Sequence, residues 1–206
     1  MKKILSVLAV IVLTSLQANA FDFSSMLSIF NKASEEQATQ AVQTQTAKTL
    51  ADVQTQMSNL DASVQQVFLN IVSELSNRKE VKEVKKQVKS NSTALNDIIS
   101  NYANTLAQNK DEVVKKISKL SSKEKTNLVN NIATLSGYAQ QYVLLATDGV
   151  KTATNTIKSA QKISEVTTTL TNLNKVATDL KSRAKTVVNF TSQIKNIAQA
   201  AGLSVQ

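Results

Sequence analysis

The sequence predicts an all-α protein, an elongated up-and-down helical bundle of about four long helices packed along coiled-coil-like seams. Two observations carry this. The 206 residues include no Pro and only three Gly, so the residues that punctuate turns and end helices are almost absent. Aliphatic residues also recur at alternating steps of three and four over long stretches, which is the period of one helix face and not of a strand.

Composition excludes most enzyme mechanisms. Without His or Cys, the chain has no imidazole or thiol for a catalytic triad, a zinc site of the usual kind, a haem ligand set or a disulfide. No Gly-rich phosphate loop or EF-hand pattern appears. The adjacent acidic pairs Glu35-Glu36 and Asp111-Glu112 fall at expected helix starts, where carboxylates favour the positive end of the helix dipole. Catalysis, cofactors and metals are therefore not expected.

Residues 1–20 read as a bacterial-style secretory signal. Lys2 and Lys3 form the positive region, Ile4 to Leu16 the apolar stretch, and Ala18-Asn19-Ala20 the cleavage site. A stretch of about thirteen apolar residues is short against the roughly 20 that span hydrocarbon. The mature chain is expected to begin at Phe21, in the periplasm or outside the cell, with no later segment apolar enough to span a membrane. Lack of Cys in an oxidising compartment leaves packing alone to stabilise it.

An apolar segment, 21–32, comes next, with Phe21, Phe23, Met26, Leu27 and Phe30 as a candidate apolar contact surface. Folding back onto the bundle is the favoured reading; insertion at a bilayer interface or binding a partner are the others.

Residues 33–206 are expected to form a single domain with helices over 33–76, 79–107, 112–147 and 150–201. The first carries the stripe Leu50, Val53, Met57, Leu60, Val64, Val67 and Ile71, with Phe68, Leu69 and Val72 widening it into a thicker core layer or a contact with a second chain. A polar stretch, Ser76 to Glu80, marks a turn or kink. The second stripe runs through Val81, Val84, Val88, Leu95, Ile98 and Tyr102, with Asn91 at a seam position.

After a weaker piece carrying Val113, Val114, Ile117 and Leu120, the third stripe is Leu128, Ile132, Leu135, Ala139 and Tyr142. Ser121 with Glu124 forms a capping box at its start, and Asp148-Gly149 reads as its stop. The last stripe alternates large and small residues, Leu173 and Leu180 against Ala177 and Ala184, a pattern that favours close antiparallel packing. Gly202 is the expected C-terminal cap.

Charge is uneven. Residues 21–76 hold six acidic and two basic side chains, whereas 77–206 hold nine acidic and twenty basic. Two basic clusters stand out: Arg78, Lys79, Lys82, Lys85, Lys86 and Lys89, then Lys110, Lys115, Lys116, Lys119, Lys123 and Lys125. A continuous second helix would put them at opposite ends. Solvated helix faces account for such lysines; the sharper reading is a surface for anionic envelope polymers or phospholipid headgroups. Nucleic acid is not expected, because no aromatic residue interleaves the lysines for base stacking.

The function expected is that of a non-catalytic exported structural or interaction protein of the bacterial envelope, presenting long helical surfaces to a protein partner or to a second copy. A periplasmic holdase chaperone or carrier and a secreted helical pore-former are the alternatives.

Overall fold

A computed structural model describes residues 40–90, 94–159 and 163–205. They form six helices: α1 (Gln40–Leu75), α2 (Arg78–Ser90), α3 (Leu95–Gln108), α4 (Lys110–Ser118), α5 (Ser122–Ser159) and α6 (Ile163–Ala200). No strand occurs among the described residues. Residues 1–20, the segment with Phe21, Phe23, Met26, Leu27 and Phe30, the Glu35-Glu36 pair and Asn91 lie outside them.

Two compact units are distinguished, Met1–Gln56 with Leu144–Asp179, and Met57–Val143 with Leu180–Gln206. In the first unit Val53 and Leu173 are buried, as is Gly149. Helix α5 runs through Asp148 and Gly149 to Ser159, so this pair does not end it. Gly149 is instead a helix-interior position facing Val53. A Cβ built on it would lie 3.5 Å from Val53 Cγ2, an ordinary contact distance, so α1 packs beside this position and the glycine only lowers helix propensity.

The second unit holds most of the described core. Leu60, Val64, Val67 and Ile71 of α1 are buried, as are Leu128, Ile132, Leu135, Ala139 and Tyr142 of α5 and Leu180, Ala184, Val187, Ile194 and Ala198 of α6. Phe68 and Val72 are fully enclosed, which makes the widened face of α1 a core layer. Phe68 meets Tyr102 of α3 and Phe190 of α6 edge-on, with ring centroids 5.6 and 5.3 Å away.

Helix ends follow the local sequence. Ser121 Oγ accepts from the Glu124 amide while Glu124 Oε2 accepts from both the Ser121 amide, at 2.8 Å, and its hydroxyl, at 2.7 Å. At Asn77 the same device recurs: its Oδ1 accepts from the amides of Lys79 and Glu80, and Glu80 Oε2 accepts from the Asn77 amide. Helix α6 ends at Gly202, whose φ of 83° only glycine adopts freely. There the Leu203 amide donates to Ala198 O and the Gly202 amide to Gln199 O, a Schellman closure.

The expected helix over 79–107 is two helices, α2 and α3, which pack against each other. Short polar side chains compete with the backbone for hydrogen bonds and so disfavour a helix interior, and the sequence after Lys89 is rich in them. Ser90 does this visibly, its hydroxyl donating to Gln87 O at 3.1 Å. The expected helix over 112–147 is likewise divided, into α4 and α5, with Ser121 between them.

Candidate functional site

The division into α2 and α3 gathers four helix ends in the second unit. Glu80 at the start of α2 and Thr105, Leu106 and Asn109 at the end of α3 line one pocket of about 250 Å³, together with Leu75, Glu112, Val113 and Lys116. Helices α2 and α3 therefore run antiparallel, and the two basic clusters meet at one end instead of lying apart.

Lys116 is the pivot of this junction. Its ammonium donates to Ser76 O at 2.6 Å, just past the last turn of α1, where helix carbonyls lack amide partners and favour a cation. Ser76 Oγ also pairs with the Tyr102 hydroxyl at 2.8 Å. Burial pushes the Tyr102 phenol up to about 12, with the charge of Glu80 adding to the shift and the Ser76 hydrogen bond opposing it.

On the other side of Lys116 a groove of about 690 Å³ is lined by Asn70, Ser73 and Glu74 of α1, Leu120, and Glu124, Asn127, Asn130 and Asn131 of α5. Glu74 is its chemically distinctive member. Its carboxyl is raised to about 7, chiefly by burial and then by the nearby Glu124 charge, with a hydrogen bond to Asn131 working the other way. Its Oε2 is enclosed without a hydrogen-bond partner. Glu124, by contrast, is held below the usual carboxylate range by the Ser121 hydroxyl and amide.

Arg78, Lys79, Lys82, Lys85, Lys86, Lys89, Lys110, Lys115, Lys119 and Lys123 are all exposed. Lys116 and Lys125 are half-buried; Lys125 donates to Ser118 O at 3.0 Å, capping α4 as Lys116 caps α1. Two members of the second cluster thus serve helix ends, while the other ten basic side chains face solvent. Among the described residues the one ion pair is Arg183–Asp61, so none of those ten is neutralised by a salt bridge.

Sequence reasoning missed that ion pair. Asp61 of α1 accepts from Tyr142 of α5 at 2.6 Å and from Arg183 of α6 at 2.7 Å, and the Arg183 Nε is enclosed without a partner. The available signal was Tyr142 itself, since a phenol on a core stripe requires a hydrogen-bond partner for its hydroxyl. Glu74 gave no signal, because an acidic residue beside a seam reads as surface until the neighbouring helices are placed.

No protein-family model matches the chain, and neither the curated proteins nor the solved structures gave a match. No helix among the described residues is long and apolar enough to cross a membrane.

Proposed function

We propose that this protein is exported to the bacterial envelope and acts there without catalysis, as an elongated bundle of coiled-coil-like helices that presents long surfaces to a protein partner or to itself. The observation that carries this reading is the division of labour among its charged side chains. Several charged side chains are spent on structure: the part-buried Arg183 on Asp61, Lys116 and Lys125 on helix carbonyls, and the exposed Glu80 and Glu124 in capping boxes. The ten other basic side chains of the two clusters are exposed, on helices whose apolar residues supply the described core.

Export rests on Lys2, Lys3, the apolar stretch from Ile4 to Leu16 and Ala18-Asn19-Ala20. A non-catalytic role is supported by the surroundings of Glu74, the group best suited to proton transfer. Its groove offers amides, one lysine already bonded to Ser76 O, and a second carboxylate, with neither a cysteine nor a histidine to act beside it.

Cross-linking in the native organism followed by identification of the partners tests the proposal. A reproducible protein partner or self-adduct supports it. Turnover of a small molecule that is abolished by Glu74→Gln would overturn it in favour of an enzyme.

A further inference from the structure

Helix α2 divides its surface into three stripes. At about 100° per residue, Arg78, Lys79, Lys82, Lys85, Lys86 and Lys89 fall within an arc of roughly 120°. Val81, Val84 and Val88 take the side turned into the fold, Val88 buried and the other two half-buried. Glu80, Glu83 and Gln87 form a third, narrow stripe between them. Every residue of the basic stripe is exposed.

We infer that this basic row is a docking track for a linear polyanion, a flexible polymer carrying phosphate or sulfate groups along its length. Charges on successive turns stand about 5.4 Å apart, and the row is straight over roughly 16 Å. The track does not stop at the end of α2. The Lys116–Ser76 O bond brings α4 to the Arg78 end of this row, and the exposed Lys110 and Lys115 on α4 add positive potential there. Nearby acids reduce this charge without cancelling it: Glu80, Glu83, Asp111, Glu112 and Glu124 stand against the twelve basic side chains of the two clusters.

A thread fits this surface better than a membrane does. The large hydrophobic side chains exposed among the described residues are Val143, Leu144 and Val188, on α5 and α6, so α2 and α4 offer no apolar anchor beside the lysines. The Glu80 and Glu83 stripe borders the basic arc on one side, where a flat anionic sheet would meet it and a polymer following the row need not.

The inference deepens the interaction reading by naming a class of partner, and it rests on that reading. Its test is binding of the full chain, with and without residues 1–20, to long-chain inorganic polyphosphate, to heparin, and to vesicles of phosphatidylcholine and phosphatidylserine in equal parts. Polymer affinity is expected to fall roughly a thousandfold between about 0.05 and 0.2 M salt, as counterion release by some six contacts requires.

The triple variant Lys82→Gln, Lys85→Gln, Lys86→Gln is expected to lose about tenfold in polyphosphate affinity. An α6 control of equal charge, Lys175→Gln, Lys181→Gln, Lys185→Gln, should lose less than about threefold, since these exposed lysines lie off the track. A second set, Arg78→Gln, Lys79→Gln, Lys89→Gln, reproduces the loss independently should the first perturb folding. Equal losses in the α2 and α6 variants, absence of polymer binding, or binding to vesicles alone would each overturn the proposal. A cross-linked protein partner without polyphosphate binding removes the polymer and leaves the interaction reading intact, so the two fail separately.

Discussion

The Tyr142 hydroxyl donates to Asp61 Oδ1 at 2.6 Å, joining α5 to α1 inside the fold, and Arg183 secures the other carboxylate oxygen from α6. Side-chain exposure of 15% for Arg183 and 21% for Asp61 makes this a largely desolvated pair. Removing one partner strands the other. Asp61→Ala is expected to destabilise by about 3 kcal/mol, because it leaves a buried guanidinium without its anion, whereas Tyr142→Phe costs about 1 kcal/mol for one hydrogen bond. Urea denaturation of both variants checks the ordering.

Alkaline pH probes the same contact. Burial and the Asp61 carboxylate hold the Tyr142 phenol above its ordinary value of 10, and Tyr102 is pushed up to about 12. The native state therefore retains protons that the unfolded chain releases, so the stabilisation is complete below pH 10 and declines as pH rises through and beyond it. Melting temperatures are expected to fall above pH 10, less steeply in Tyr142→Phe.

Glu74 acts in a lower window. Its carboxyl, raised from 4.5 to about 7, keeps a proton that the unfolded chain loses, so stability decreases between pH 4.5 and 7 and levels off above. Glu74→Gln abolishes that slope. After discounting for the group's partial exposure, the gain at pH 8 is on the order of 1 kcal/mol, with none at pH 4. Thermal melts of the two proteins across this range decide it.

Gly149 separates a helix interior from a helix stop. Since α5 continues past it and a Cβ there meets Val53 at an ordinary contact distance of 3.5 Å, Gly149→Ala should stabilise by up to about 1 kcal/mol. A stop with a left-handed backbone would give the opposite sign. Gly202→Ala, at a φ of 83°, supplies that opposite case and is expected to cost about 1 kcal/mol.

The apolar stripes were legible in the sequence because each reports only the buried face of its own helix. Leu128, Ile132, Leu135, Ala139 and Tyr142 needed no knowledge of a neighbour, and neither did the Ser121–Glu124 box or the Gly202 cap. What depended on neighbours stayed hidden. Gly149 reads as a breaker until Val53 is placed against it, and Asp61 reads as surface until Tyr142 and Arg183 arrive. The polar run after Val88 preserved the heptad count while dividing the helix, and this one misreading moved a whole basic cluster to the wrong end.

The convergence of the two basic clusters rests on the reversal of direction between α2 and α3. A chain without Cys accepts two unique spin labels, so Lys79→Cys with Lys115→Cys can be measured by pulsed electron resonance at two exposed sites. With Lys116 bonded to Ser76 O, the label separation is expected to centre below about 25 Å. A continuous helix over 79–107 would instead hold the ends roughly 42 Å apart, and a distribution centred there would contradict the convergence of the two basic clusters.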